Sequence, residues 1–134
     1  MSRSTTTAAA LIGLVLVLGG CGDDRTFRTD RPILRLTVDE YRIVPQNIVV
    51  KPGRMKFVVR NTGRLTHNLA VQIPPKNPGD LPAPVSPESR TATMQPGQTA
   101  EPIKLDLRPG TYRLVCTIAN HDDLGQFGTL TVKP

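Results

Sequence analysis

The stretch that decides the fold is residues 110–132, GTYRLVCTIANHDDLGQFGTLTV. At its two ends lie two short runs that predict β-strands: Tyr112 to Cys116, which is rich in apolar residues, and Thr129 to Val132, in which polar and apolar residues alternate. The middle is polar, contains glycine and has no apolar period, so it predicts a loop. The stretch therefore predicts two strands joined by a loop, with a cysteine closing the first strand and a histidine in the loop.

The same alternation continues upstream. Further strands are predicted at 33–38, 41–50, 55–60, 69–73, 91–94 and 103–107, several of them separated by Pro-Gly or Asn-Thr-Gly turns. Residues 74–87 contain six prolines, so they predict a surface excursion and not a central strand. Seven or eight short strands with no helical period predict an all-β Greek-key β-sandwich. An immunoglobulin-like sandwich is the structural alternative, but its pair of cysteines is missing.

The N-terminal segment has the pattern of a leader. The apolar run from Ala8 to Leu18 is too short for a spanning helix but suits a signal peptide. It ends in LGGC at residues 18–21, which resembles the lipobox of bacterial lipoproteins, so lipidation is expected at Cys21. An ordinary signal peptide that ends near a cysteine is the alternative. The expected organisation is a signal peptide at 1–20, a polar tether at 21–32 and one domain at 33–134.

The charge and the cysteine content narrow the range of functions that the sequence allows. The formal net charge is +6, but the basic residues are scattered and aromatic residues make up only 4% of the chain, so nucleic-acid binding is not expected. If lipid occupies Cys21, the second cysteine, Cys116, has no disulfide partner within the chain. A free thiol outside the cytoplasm is a reactive site, a metal ligand or a small buried hydrophobe.

Three residues supply a set of metal ligands. Cys116 ends a predicted strand, His121 follows five residues later, and His67 lies at the end of an earlier strand. A thiolate and two neutral imidazoles are the donors of a blue-copper (type-1) site. Taken singly, each has an ordinary alternative, since a lone histidine is often a surface residue and a lone cysteine is often packing. Their joint spacing favours copper.

These motifs resemble the cupredoxin family of type-1 blue-copper proteins. Residues 110–132 are similar to the family's C-terminal copper loop, and residues 52–68 resemble the segment that presents the family's first histidine. The resemblance covers roughly residues 35–134 apart from the proline-rich segment. It implies one mononuclear copper ion, with His67 as the buried ligand and His121 as the solvent-facing one. Asn68 is either a residue that ties the two copper loops together or an ordinary turn asparagine.

The chain differs from the family pattern at the position of the axial, fourth copper ligand. The family's usual methionine is replaced by Gln126, five residues after His121. This spacing is similar to the stellacyanin branch, although that branch has a cysteine where this chain has Asp122. Gln126 is expected to be a fourth, amide-oxygen ligand that lowers the reduction potential, because a harder donor favours Cu(II). In the alternative, Gln126 faces solvent and the copper has three ligands.

The expected function is single-electron transport outside the cytoplasm by a monomeric, lipid-anchored protein that faces the periplasm or the cell exterior and serves redox partner proteins. Two alternatives remain: a lipoprotein that carries or stores copper without redox turnover, and a metal-free cupredoxin-like interaction module. An enzyme is not expected, because one mononuclear site with no further histidines cannot form a multi-copper centre.

Overall fold

The computed structural model describes residues 25–134, so the predicted lipidation site Cys21 lies outside the described residues. The described residues form ten strands: β1 Thr26–Thr29, β2 Ile33–Asp39, β3 Arg42–Val44, β4 Asn47–Val50, β5 Gly53–Asn61, β6 Ala70–Ile73, β7 Ala83–Pro84, β8 Ile103–Leu107, β9 Gly110–Val115 and β10 Phe127–Val132. The all-β prediction is confirmed. None of the described residues belongs to a helix that is long and apolar enough to cross a membrane.

The strands form a sandwich of two mixed sheets. The six-stranded sheet has the order β1-β4-β10-β9-β6-β7, and the four-stranded sheet has the order β3-β2-β5-β8. Alternate residues of the strands point inward, and their apolar side chains form one core that includes Leu36, Phe57, Val59, Leu114 and Leu130. Each large side chain buried in this way contributes about 1.5–3 kcal/mol. This core gives the loops that carry the predicted ligands a rigid base.

The structure adds a strand inside the segment predicted to be a tether. Residues 26–29 form β1, which pairs in parallel with β4 from Thr26 opposite Asn47 to Thr29 opposite Val50. The side chains of β1 are mostly exposed, so the pairing depends on backbone hydrogen bonds. A strand of this kind has no apolar period, which is why the sequence pattern did not predict it.

Two of the predicted strands differ in the structure. The segment 41–50 is split into β3 and β4, with Tyr41 in the turn before β3. The strand predicted at 91–94 is wrong, because Met94 makes only an isolated bridge with His67. The proline-rich segment is an excursion as predicted, except that β7 pairs two of its residues with the end of β6 at the sheet edge, where proline is tolerated.

The register brings three predicted site residues to one end of the sandwich. Val115, the last residue of β9, pairs with Ala70 at the start of β6 and with Phe127 at the start of β10. The residues just before β6, just after β9 and just before β10 therefore share one end of the six-stranded sheet. These positions include His67, Cys116 and Gln126.

Candidate metal centre

Three of the predicted ligands form one cluster. One donor atom from each of His67, Cys116 and His121 lies within 4.8 Å of the others. The sulfur of Cys116 is 3.6 Å from Nδ1 of His121, and the two imidazole rings have their centres 5.1 Å apart. The cysteine is free and buried. The fold thus gathers a soft donor and two imidazoles at one point.

His67 is held by the loop between β5 and β6. Its backbone exchanges hydrogen bonds with Met94: the N–H of His67 donates to the Met94 carbonyl at 3.1 Å, and the N–H of Met94 donates to the His67 carbonyl at 2.7 Å. The buried amide of Asn61 donates to the carbonyls of Leu65 and Met94, at 2.8 and 3.0 Å. These bonds fix the backbone around His67, whose imidazole is fully buried.

The loop between β9 and β10 folds back on itself to bring its donors together. The N–H of Cys116 donates to the Gln126 carbonyl at 3.1 Å, and the N–H of Gln126 donates to the His121 carbonyl at 3.0 Å. Gly125 has φ 111°, a conformation that side chains with a Cβ rarely adopt. The loop geometry therefore depends on glycine at this position.

Asn68 joins the loop that carries His67 to the loop that follows β9. This agrees with the first of the two interpretations of Asn68, a residue that ties the two loops together. Its amide nitrogen donates to the Thr117 hydroxyl at 2.9 Å, and its amide oxygen accepts from the Thr117 N–H at 2.8 Å. Because Asn68 follows His67 and Thr117 follows Cys116, this pair of hydrogen bonds fixes the distance between the two ligand-bearing segments.

Gln126 is fully buried, and one end of its amide is held by the opposite sheet. Its nitrogen donates to the carbonyl of Asp39 at 2.6 Å, with a longer contact of 3.5 Å to the carbonyl of Arg42. Its oxygen has no hydrogen-bond partner among the described residues. A solvent-facing Gln126, the alternative prediction, is wrong, because its side chain points into the protein.

The donors fit a copper ion. When a metal is bound to a nitrogen at about 2.0 Å and to a sulfur at about 2.3 Å with an angle of about 120° between the bonds, the nitrogen and the sulfur are about 3.7 Å apart. The sulfur of Cys116 and Nδ1 of His121 are 3.6 Å apart, close to this value. Nδ1 of His67 is also a buried atom with no hydrogen-bond partner in the described chain, as is the oxygen of Gln126. The one other such side-chain atom is Oε1 of Gln72, on β6. A buried acceptor without a partner costs about 1–3 kcal/mol, and a bound metal would remove this cost.

The turn between β2 and β3 also contributes to the site, which the sequence did not predict. Oε1 of Glu40 lies 3.1 Å from Nε2 of His67, and the ring of Tyr41 meets the ring of His121 edge-on, with centres 5.2 Å apart. A glutamate and a tyrosine in a turn are ordinary residues, and these contacts join distant parts of the chain. No local pattern could have found them.

The two histidines differ in exposure, as the family resemblance implied. His67 is fully buried, whereas His121 is partly exposed. Glu40 is ionised because its carboxylate accepts hydrogen bonds from the Leu65 N–H, from His67 and from the Arg64 N–H, which together lower its pKa from 4.5 to about 2. A negative charge therefore lies against the outer nitrogen of the buried histidine.

Solved structures with this fold include three auracyanins. The auracyanin of Roseiflexus castenholzii is 23% identical, with a TM-score of 0.66 over 79% of this chain and 100% of its own. Auracyanin B is 21% identical, with a TM-score of 0.62 over 76% of this chain and 88% of its own. Auracyanin A of Chloroflexus aurantiacus, a "blue" copper protein, is 15% identical, with a TM-score of 0.62 over 75% of this chain and 98% of its own.

No protein-family model matches the sequence, and no curated protein matches it significantly. At these identities the structural likeness establishes the fold, and the ligand cluster is a separate observation made on this chain. The chain thus has the cupredoxin fold, and its His67, Cys116 and His121 cluster fits a type-1 copper site.

Proposed function

We propose that this protein carries single electrons on one type-1 copper ion held by His67, Cys116 and His121, with the amide oxygen of Gln126 as the fourth ligand. The observation that carries the proposal is the set of buried donors without protein partners: Nδ1 of His67 and the oxygen of Gln126 lie in the same part of the fold as the free thiol of Cys116.

When bound, copper supplies one-electron chemistry: a reduced partner gives up one electron as Cu(II) becomes Cu(I), and an oxidised partner accepts it as Cu(I) returns to Cu(II), with no bond made or broken. The protein's own residues keep the donor positions fixed during this cycle. Cys116 supplies the soft thiolate. Asn68 and Thr117 join the segment that carries Cys116 to the loop that carries His67. The carbonyl of Asp39 orients Gln126.

A carrier is favoured over an enzyme by the composition of the site. The sequence contains two histidines, and both belong to this cluster. A multi-copper catalytic centre needs further imidazoles. The partners of this protein are therefore redox proteins, which exchange electrons with the copper but undergo no chemistry on this chain.

The face around His121 is the proposed contact surface for these partners. His121 is partly exposed, and large apolar side chains flank the ligands: Leu65 is 42% exposed, Leu124 is 51% exposed and Phe127 is 44% exposed. Leu65 lies two residues before His67, and Leu124 lies in the loop that follows His121. Apolar side chains around an exposed ligand allow a partner to exclude water and approach the metal closely.

The proposal includes a location outside the cytoplasm, with a lipid anchor at Cys21. Its support is the apolar, leader-like run with the LGGC motif at residues 18–21.

The function is tested by adding Cu(II) to the purified metal-free protein and recording the visible spectrum. An intense thiolate-to-copper charge-transfer band, together with reversible one-electron reduction, is the expected result. A weak band combined with tight Cu(I) binding would instead indicate a copper carrier. No binding at all would indicate an interaction module, and both outcomes would contradict electron transport.

Replacing Cys21 with serine should release the protein from the membrane or block its processing, because serine cannot accept the thioether-linked lipid. Membrane fractionation and the mass of the mature chain measure this. Copper binding should be unchanged, since Cys21 precedes the sandwich. A variant that stays in the membrane fraction with an unchanged mass would show that the anchor is not at Cys21.

Replacing either histidine with alanine should weaken copper binding, but added imidazole should restore the two variants unequally. The cavity left in His121→Ala opens to solvent, so free imidazole can enter it, whereas that left in His67→Ala is fully buried. A titration of each copper-loaded variant with imidazole, followed by visible absorption, measures the difference. Better rescue of His67→Ala would reverse the assignment of the outward ligand.

A further inference from the structure

Glu40 has an unusual position for a charged residue in a turn. One carboxylate oxygen, Oε1, accepts hydrogen bonds from the backbone N–H groups of Arg64 and Leu65, both at 2.7 Å, and lies 3.1 Å from Nε2 of His67. The turn that carries Glu40 lies between β2 and β3, whereas its three partners lie in the loop that presents His67. The carboxylate is therefore fixed against the buried histidine from a different part of the chain.

The absence of a side chain at residue 63 makes room for this carboxylate. A Cβ at Gly63 would overlap Oε1 of Glu40 and would lie 3.0 Å from the Cα of Asp39. The glycine and the two N–H groups that follow it thus form a cradle for one carboxylate. A surface glutamate that only adds solubility would need no such space.

We propose that Glu40 is a positioning residue, which holds His67 in the tautomer protonated at Nε2 and makes its Nδ1 a stronger donor, so that oxidised copper is favoured over reduced copper. The inference rests on the proposed function for its effect on copper. Its first part, the tautomer, concerns the metal-free protein alone.

The tautomer follows from the chemistry of the two partners. A neutral imidazole has one N–H group, and Oε1 of Glu40, which already accepts two backbone N–H groups, faces Nε2 as an acceptor. The proton must therefore lie on Nε2, facing Glu40, which leaves the lone pair of Nδ1 free. Nδ1 is the buried atom that has no partner in the described chain. Glu40 thus prepares His67 to bind a metal before any metal arrives.

The effect on copper follows from the charge. A carboxylate that accepts the Nε2 proton draws it away from the ring and makes Nδ1 more basic. A more basic nitrogen stabilises Cu(II) more than Cu(I), because Cu(II) carries the larger charge. Removing a group that orients a metal-bound histidine typically costs 10–100-fold in metal affinity. We expect a loss of this size for Cu(II) and a smaller loss for Cu(I).

The metal-free protein gives the first test. The ¹⁵N chemical shifts of His67 should show Nε2 protonated and Nδ1 bare in the wild type, and a mixture of tautomers in Glu40→Ala. If the wild type has its proton on Nδ1, the proposal is overturned whatever the protein does with copper. Thermal unfolding of both metal-free proteins establishes that the variant is folded.

The copper-loaded protein gives the second test. Glu40→Gln keeps the shape and an oxygen acceptor but removes the charge, so the reduction potential should rise, by about 59 mV for each tenfold change in the Cu(II)-to-Cu(I) affinity ratio. Asp123→Asn removes an exposed charge from the loop that carries His121 and is the matched control. Equal shifts of the reduction potential in Glu40→Gln and Asp123→Asn would overturn the proposal, because they would show that Glu40 acts only through its charge and not through its hydrogen bond to His67.

Gly63→Ala is an independent variant, because it displaces the carboxylate without changing any charge. Like Glu40→Gln, it should raise the reduction potential of the bound copper. Like Glu40→Ala, it should give a mixture of His67 tautomers in the metal-free protein. A blue, copper-loaded wild type with unchanged potentials in Gly63→Ala and Glu40→Gln would overturn the inference while leaving the proposed function intact. A wild type that binds no copper would overturn the proposed function, and the ¹⁵N shifts would still decide the tautomer.

Discussion

Replacing Cys116 with serine should abolish the intense visible absorption of the copper-loaded protein. The band arises from charge transfer between a thiolate and copper, and Cys116 is the one cysteine in the described chain. Structural zinc sites with four ligands bind the metal with about 10–16 kcal/mol in total, or roughly 3 kcal/mol for each ligand, and we take this as the scale for one copper ligand. The loss of this ligand should therefore reduce copper affinity about a hundredfold or more, as measured by competition with a chelator of known affinity.

The fold should survive this substitution, since serine differs from cysteine by one atom and leaves the packing around β9 in place. The cost is that of burying one hydroxyl group, about 1–3 kcal/mol. Circular dichroism and thermal unfolding of the metal-free variant are the controls. If folded Cys116→Ser retained the strong band, the thiolate assignment and the type-1 site would both have to be abandoned.

Replacing Gln126 with methionine should raise the reduction potential of the bound copper. The substitution exchanges a hard amide oxygen for a soft thioether, which tolerates Cu(I) better. An effect of at least tenfold on the ratio of Cu(II) to Cu(I) affinity is expected, which is a rise of about 59 mV or more. Protein-film or solution voltammetry of the two loaded proteins measures it.

Stability should change as well. Methionine has no N–H group to donate to the Asp39 carbonyl, now bonded at 2.6 Å, so the free energy of unfolding should fall by about 1 kcal/mol. Gln72→Met is the matched control, because Gln72 also has a buried oxygen without a partner but lies on β6, outside the ligand cluster. Unchanged potential and spectrum in Gln126→Met would leave a copper site with three ligands.

The ligands on the copper loop could be predicted because they are local. Cys116, His121 and Gln126 lie within eleven consecutive residues, between two short apolar runs that predict strands. His67 was harder to predict, because it lies almost fifty residues earlier and depends on the β-sandwich to bring it to the same end. Its position follows from the pairing of β6 with β9, which the strand pattern suggests but does not specify.

The supporting contacts could not be predicted, for two different reasons. The group that orients Gln126 is the backbone carbonyl of Asp39. Every residue has a backbone carbonyl, so the sequence does not indicate which one will make this contact. Glu40 does have a distinctive side chain, but its role depends on a close approach to Gly63 and the loop of His67. β1 was not predicted because it pairs through its backbone and buries little of its side-chain surface.

The turn between β2 and β3 has a consequence for protein engineering. Residues 39–42 contact His67 through Glu40, His121 through Tyr41 and Gln126 through the carbonyl of Asp39. Transplanting residues 116–126 onto another β-sandwich would carry a cysteine, a histidine and a glutamine to the new host, but none of these contacts. Such a chimera would complete the ligand cluster only in a recipient that supplies a histidine in the place of His67. Its reduction potential would keep the influence of Gln126 but lose that of Glu40.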